Sequence, residues 1–523
     1  MSKLSLVRES ARLIDGSQAS ADAAYEADVC IVGSGAGGAV TAAVLAAAGI
    51  DVLVVEEGGY FDAKDFTMRE LDVAPKLYQD AMQRTTADNG ITVLQGRAVG
   101  GTTVVNWTTS FRTPEDVVAR WKERHGVSGF AYADLVPHYE AIEARLGIHE
   151  VTVESMNANN RTLYDGCKAM GWSAEPLRRN VVACLQTGQC GLGCPVNAKR
   201  SMLVTMIPDA LDRGARVLHH ARVDVLEASS GQVRRARASL LGADGKTPLG
   251  RSATIKAKTF ILSGGAINSP AVLLRSGMSD NGKVGVRTFL HPVIASLGLY
   301  DHPIDPYAGA PQSAASHHWK DRGGDVGVFF EAAPAYPAMS AAALPGFGQA
   351  HREAFSHIRT TATHIALSID GFHDSAPGGT VSLRPSGAPI LDYPITPALW
   401  ESFRFSQKRL AEAQFKSGAR RVMTLHDPPL FLDRPEDTGA IDALRWETGA
   451  LSVFTAHQMG GCAMGDDPSS SVVRSADLRH HTLQNLHVID GSVFPTSLGV
   501  NPQESIYGLA HLMATRLAAR LTG

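Results

Sequence analysis

Between residues 28 and 59 short apolar runs flank a glycine-dense turn, in the order DVCIVGSGAGGAVTAAVLAAAGIDVLVVEEGG. Val29 to Val32 is a continuous apolar run ending at a turn, which is the pattern of a strand buried on both faces. Gly33-Ser34-Gly35-Ala36-Gly37-Gly38 follows, then an alanine-rich helical segment with no breaker before Gly49. A second apolar run, Val52 to Val55, ends in Glu56. Further on, Ala215 to Ile261 alternates apolar and polar residues, with breaks at Gly231 and at Gly242-Ala243-Asp244-Gly245. That predicts a strand, a small β-meander and a buried strand over Lys256–Leu262. Ser263 to Pro270 opens a leucine-rich helix that stops at Gly277. Residues 378–393 predict a hairpin turning at Ser386-Gly387, Pro397 to Gly418 a long helix, and the chain closes on an amphipathic helix. Residues 61–90 and 114–180 are polar with helical spacing. The segment 300–350, rich in Pro, Ala, Gly and His, has weak periodicity and reads as a lid or a pocket-lining loop. Residues 1–27, with one weakly amphipathic piece from Leu4 to Ile14, read as a surface arm.

Strand, glycine turn, helix, strand and acid, in that order, form the pattern of a dinucleotide-binding unit. Gly33 permits the tight turn, Gly35 lets the backbone approach a pyrophosphate, and Gly38 lets the helix sit close to the strand. The free N–H groups of the helix start then face phosphate charge, and Glu56 is placed to accept from an adenosine ribose. A second glycine-rich stretch, Gln95 to Trp107, carries small hydroxyl residues and an asparagine, as a loop pressed against a flat ring requires. At this point the identity of the dinucleotide is open.

Length and composition bound the rest. A chain of 523 residues exceeds one compact core, so two or three domains are expected. A formal charge of −3 with 19% charged residues gives no nucleic-acid footprint. The longest apolar stretches, such as Ala39–Ile50, run to about twelve residues, too short to span a bilayer. No hydrophobic leader or twin-arginine signal opens the chain, so a cytoplasmic protein is expected. Six cysteines do not make a disulfide scaffold. Cys184, Cys190 and Cys194 nevertheless crowd together, either as a tight loop of buried thiols or as three thiolates for an iron–sulfur cluster.

Four motifs in register, GSGAGG with VLVVEEGG, GRAVGGTTVVNW, GGAINSPAVLLRSG, and HQMGGCAMG paired with VIDGSVFP and Asn501-Pro502, resemble the glucose–methanol–choline (GMC) family of flavin-dependent alcohol oxidoreductases. Through CGLGCPVNAK the chain looks most like bacterial members related to long-chain alcohol oxidases and to some sugar or polyol dehydrogenases. The resemblance implies an α/β (α+β overall) fold: a discontinuous Rossmann-like FAD-binding domain (28–113, 181–290 and 451–523) and a substrate-binding domain on an antiparallel sheet flanked by helices (114–180 and 291–450). It implies resident FAD, with Gly33, Gly35 and Gly38 at the pyrophosphate, Glu56 at the ribose and Val223 at the adenine. Gly101, Thr102 and Asn106 would line the ring, Asp490 and Gly491 hold the ribityl chain and phosphate, and Pro502 and Gln503 begin a helix under the ring. Some relatives attach FAD through a histidine immediately before this asparagine. Val105 stands there, so the FAD is expected to be non-covalent.

The resemblance also implies a catalytic pair. Hydride transfer from an alcohol requires a base for the hydroxyl proton, and His457 matches the family's histidine, with Gly461 where HxxGT has threonine. Asn501 would hydrogen-bond the substrate oxygen. His291 reads as structural. The expected reaction is oxidation of a small-molecule alcohol, primary and rather apolar, with oxygen or another acceptor taking the electrons. The apolar preference rests on 114–180 and 300–350 walling the pocket, with Phe329, Phe330 and Phe347 among their side chains. Alternatives on the same fold are a non-redox lyase, a photodecarboxylase, or a dehydrogenase subunit passing electrons to a cytochrome through an iron–sulfur cluster. A monomer or small homo-oligomer is expected.

Overall fold

The computed structural model describes residues 7–279, 281–372 and 376–523. Its first sheet is built from β1 (Leu13–Asp15), β2 (Ala23–Val32), β3 (Val52–Val55), β4 (Arg216–His219), β5 (Ala221–Ser229), β6 (Gln232–Leu241) and β7 (Pro248–Leu262) in the order β1-β4-β3-β2-β7-β6-β5, with Leu486–Val488 added beside β7. The β1, β4, β3, β2 and β7 neighbours run parallel, whereas β5 and β6 form an antiparallel meander on β7. Val29–Val32 is apolar throughout because β3 pairs on one side of it and β7 on the other. Upstream of Val29 the strand pairs with β7 alone and alternates half-buried with exposed positions. That is why Ala23–Ala27 carries no apolar run and was expected in an arm. Leu13–Asp15 is likewise in the sheet, parallel to β4. The arm reading therefore fails over these residues; Met1–Leu6 lie outside the described residues.

Helix α1 (Ala36–Ala47) follows the glycine turn, and α2 (Gly265–Arg275) follows β7. The second sheet centres on β8 (Val293–Leu299), β9 (Gly327–Ala332) and β10 (Thr361–Ile369), antiparallel in the order β8-β10-β9. Helix α3 (Pro397–Lys416) and the helix Ala158–Ala169 pack on it. All six residues of β9 are buried, so 327–332 shows no alternation: a strand covered on both faces does not alternate. One apolar core surrounds the parallel sheet and another the antiparallel sheet.

The helices Glu115–His125 and Tyr132–Leu146 differ from the sequence reading. They bury Val117, Trp121, Tyr139 and Leu146 in the first core, and the second of them lies against α4 (Gln503–Thr522). Gly508 makes this contact feasible, since a Cβ there would fall 2.2 Å from the Tyr139 ring. No residue of 114–180 lines either large cavity described below.

Candidate active site

A cavity of about 690 Å³ runs along the C-terminal edge of the parallel sheet and under β9 and β10. Gly33, Gly35, Glu56, Gly101, Thr102, Asn106, Val223, His457, Asp490, Gly491, Asn501, Pro502 and Gln503 all line it. Gly38 does not. A Cβ there would sit 2.0 Å from the Gly33 carbonyl oxygen, so Gly38 serves the packing of α1 on the turn. The two glycine loops meet back to back, with a Cβ on Gly101 placed 2.6 Å from Gly35 Cα, and Gly101 is left-handed at φ 56°.

The two acids are engaged by their own loops. Glu56 Oε2 accepts from Ser34 N at 3.0 Å and Ser34 Oγ at 2.7 Å, and its Oε1 accepts from Gly58 N at 2.9 Å. Asp490 accepts from Gly265 N and Ser269 Oγ through Oδ2 and from Ser492 N through Oδ1, at 2.8, 2.6 and 2.8 Å. Burial raises the pKa of both carboxyls. Gln503 is a buried hub: its Oε1 accepts from Asn106 Nδ2 at 2.6 Å and its Nε2 donates to Thr109 O at 2.6 Å.

At the other end of the cavity four polar side chains converge. The strand Val286–Leu290 pairs antiparallel with Gln458–Gly460, Leu290 opposite Gln458, so the residue after one strand and the residue before the other, His291 and His457, face each other. Their Nδ1 atoms are 3.0 Å apart. Asn501, just before α4, lies 3.3 Å from His457 Nε2 and 3.4 Å from Glu331 Oε2 through its Nδ2. Glu331, on β9, also accepts from Gln312 Nε2 at 2.7 Å. The surface His457 keeps faces the cavity, and burial pushes its pKa down to about 3. His291 is wholly buried and held well below its usual value, by burial first and by His457 second. Burial raises Glu331 to about 8, so it is protonated at neutral pH. Asn501 Oδ1 is buried without a hydrogen-bond partner. Sequence reasoning missed Glu331 and gave His291 no part in the site; the register that brings His291 to His457 is seen only in the fold.

The cysteine loop does not place its thiols in the cavity. Cys184 and Cys194 are half-exposed, Cys190 is buried, and none of the three lines the cavity. The loop contributes Lys199, a fully buried ammonium that donates to Val104 O, Asn106 O and Cys190 O at 2.5, 3.0 and 2.6 Å. Arg179 adds a bond to Thr108 Oγ1 at 2.8 Å and approaches Cys190 Sγ at 3.7 Å. Together they hold the Gly96–Trp107 loop against the cavity.

A second, larger cavity of about 1200 Å³ adjoins the first, sharing Leu94, Trp107, Ile365 and Phe454 with it. Ala338, Met339, Leu344, Ile358, Leu451 and Val453 line its walls. Phe329 and Phe330 are instead buried in the second core, and Phe347 is 90% exposed. The apolar character thus comes from other residues than the aromatics expected to supply it. Among the described residues no helix is long and apolar enough to cross a membrane.

The cavity fits the FAD that the resemblance implies. Gly33, Gly35 and Gly101 line it where the two loops come close, and Asn106 Oδ1 and Trp107 Nε1 are buried along it without partners. Val105 lines the wall, and the lining contains no cysteine and no histidine except His457.

Comparison with known proteins agrees. Two GMC oxidoreductase models match residues 74–293 and 376–510, and an NAD(P)-binding Rossmann-like domain model matches 31–79. An uncharacterized GMC-type oxidoreductase of Mycobacterium tuberculosis is 32% identical over 501 residues, 95% of this chain and 76% of that protein. The long-chain-alcohol oxidase FAO4B of Arabidopsis thaliana is 29% identical, covering 94% of this chain and 67% of its own length. Among solved structures, pyridoxine 4-oxidase from Mesorbium loti superposes with a TM-score of 0.70 at 19% identity, over 94% of this chain and 99% of its own. Formate oxidase of Aspergillus oryzae RIB40 gives 0.71 at 15%, over 96% and 99%, and both likenesses show a shared fold. With its dinucleotide cleft, its polar cluster at one end and a family relative matched over 95% of its length, this chain belongs to the GMC oxidoreductase family and is an FAD-dependent oxidoreductase acting on CH–OH donors.

Proposed function

We propose that the substrate is a long, apolar primary alcohol, converted to its aldehyde with His457 as base. The observation that carries this reading is the second cavity, whose apolar lining joins the first at Ile365, the residue paired with Glu331 across β9 and β10. An alkyl chain in the second cavity would leave its hydroxyl beside Asn501 and His457. The similarity to long-chain-alcohol oxidases supports the same class.

Bound FAD, held non-covalently, would supply the hydride acceptor. The chain's own residues handle the proton and the oxygen. With the His457 hydrogen on Nδ1, donated to His291 Nδ1, the Nε2 lone pair is free to take the hydroxyl proton. His291, kept neutral by burial, stabilises the imidazolium so formed by continuing to accept. Asn501 Nδ2 donates to the substrate oxygen, and Glu331, protonated and anchored by Gln312, sets the amide plane. The apolar walls exclude water from this exchange.

The test is anaerobic flavin bleaching across a series of 1-alkanols. Each methylene buried in the second cavity contributes about 0.8 kcal/mol, so kcat/KM should climb by up to about fourfold per carbon until the cavity fills. A flat series, or preference for polyols, would refute the proposed substrate class. Admitting air afterwards identifies the acceptor: reoxidation as fast as turnover marks oxygen.

A further inference from the structure

Where β1 ends against β4, three side chains bring one potential ligand atom each within 3.7 Å of one another. Asp15 Oδ1 lies 2.8 Å from His220 Nδ1 and 3.7 Å from His219 Nδ1, and the two imidazole nitrogens are 3.2 Å apart. The parallel register sets Asp15 opposite His219. Successive side chains of a strand point to opposite faces, so His220 reaches the same point only because its backbone is left-handed, at φ 53°. That conformation is uncommon in any residue but glycine.

Hydrogens alone satisfy this arrangement poorly. Asp15 Oδ1 already accepts from Ser17 N at 2.9 Å, and one hydrogen on His220 Nδ1 serves Asp15. His219 Nδ1, 3.2 Å from His220 Nδ1, then faces a donor committed elsewhere. A tetrahedral zinc ion with bonds of about 2.0–2.1 Å holds its ligand atoms about 3.3 Å apart, and the three separations straddle that value. Two imidazoles and a carboxylate suit zinc and its first-row neighbours, whereas calcium and magnesium take oxygen sets. The imidazoles are 7% and 9% exposed and Asp15 is 36% exposed, which leaves an entry path past the carboxylate. Among the described residues this is the one trio of His, Cys, Asp or Glu whose ligand atoms come within 4.8 Å of one another.

We infer that Asp15, His219 and His220 bind one divalent transition-metal ion, zinc by preference, which clamps the wall of the FAD cleft. His220 N donates to Gly58 O at 3.1 Å, Ala221 N to Glu56 O at 2.9 Å, and Gly58 N to Glu56 Oε1 at 2.9 Å. Glu56 and Ala221 to Val223 line the cleft. An ion here pins the β4–β5 corner to β1 and steadies the turn that carries Glu56. Gly59 makes room for the ring, since a Cβ there would fall 2.6 Å from His220 Nε2.

Untagged holoenzyme stripped with EDTA and titrated with ZnCl2 in a calorimeter should take up one ion per chain. CoCl2 in its place should give tetrahedral d–d absorption to the red of the flavin bands, with no thiolate charge-transfer band. Asp15→Asn, His219→Gln and His220→Asn should each abolish uptake. Asparagine tolerates the left-handed backbone at 220, and circular dichroism and flavin content check the fold of each variant. The double variant Cys184→Ser/Cys194→Ser should keep it. Zinc should also slow flavin release, followed by free-flavin fluorescence, in the parent protein and not in the three variants. Uptake that survives all three substitutions, vanishes with the cysteines, or never reaches one ion per chain overturns the site. Uptake with unchanged flavin release overturns the clamp.

Discussion

Replacing His291 with leucine separates a positioning role from a merely structural one. In the proposed mechanism His457 becomes an imidazolium inside a site where burial already holds its pKa at about 3. The hydrogen bond from His457 Nδ1 to His291 Nδ1, 3.0 Å long and buried on the His291 side, is therefore charge-assisted only after the proton has moved. Hydrogen bonds to charged groups contribute about 1.5–3 kcal/mol. Losing one that forms its full strength only beyond the ground state should slow bleaching about 10- to 150-fold at saturating alcohol, with KM little changed. His291→Asn supplies an acceptor oxygen near the same place and should recover most of that rate. The assay is anaerobic stopped-flow reduction of the flavin from pH 5 to pH 9. The depressed pKa of His457 makes the base form complete above about pH 4, so its titration should leave no acid limb near the ordinary histidine value. A leucine variant within about threefold of the parent, or an asparagine variant as slow as leucine, would show that His291 only fills space. An acid limb near pH 6.5 would sink the assignment of His457 as the buried base.

Three further outcomes follow from the same geometry. Glu331→Gln should leave bleaching near the parent rate below pH 8, where Glu331 is already protonated. Because its folded pKa is raised from 4.5 to about 8, the parent loses stability as pH climbs between those values. The variant should lack that loss and exceed the parent by a few kcal/mol at pH 9; urea midpoints that keep the same difference at pH 5 and pH 9 contradict this. Lys199→Met orphans the buried carbonyls of Val104, Asn106 and Cys190 and should cost about 3 kcal/mol or more, read as a lower urea midpoint together with faster flavin loss. An unchanged midpoint rules out Lys199 as the anchor of the Gly96–Trp107 loop. Gly101→Ala should purify without flavin colour, since its Cβ would meet Gly35 Cα at 2.6 Å, whereas Gly250→Ala, also left-handed but facing open space, should stay yellow. Equal flavin content in the two would remove the steric argument.

The parts of the site legible in the chain are those where local backbone and local chemistry coincide. Gly33 and Gly35 sit between apolar runs whose period marks strands, and Gly101 repeats the device in a second loop, so the cleft could be expected before any contact was known. Gly38 shows the limit of that reading, because the motif names it while its packing role depends on Gly33 and Ser263. Ala23–Ala27 shows another: a strand paired on one side alternates weakly and carries no apolar signature. Helices 115–125 and 132–146 announce themselves by spacing, yet spacing does not say which core receives the apolar face, and Tyr139 finds its place over Gly508 near the other end of the chain.

The residues that could not be read share a physical reason. His291 meets His457 through the pairing of Leu290 with Gln458, and Glu331 meets Asn501 through a strand with no alternation to mark it. Lys199 is identified by three carbonyls belonging to two loops. In each case one residue satisfies a buried polar group of a segment far away in sequence, so neither segment carries the signal alone. The acids sharpen the point. Glu56 and Asp490 look like direct cofactor ligands in their motifs, yet both spend their oxygens on amides and hydroxyls of the loops around them. A glycine motif marks where the backbone must come close to a ligand. The side chains that keep it there are found by asking which group satisfies each buried donor and acceptor of the loop, and that question needs the fold.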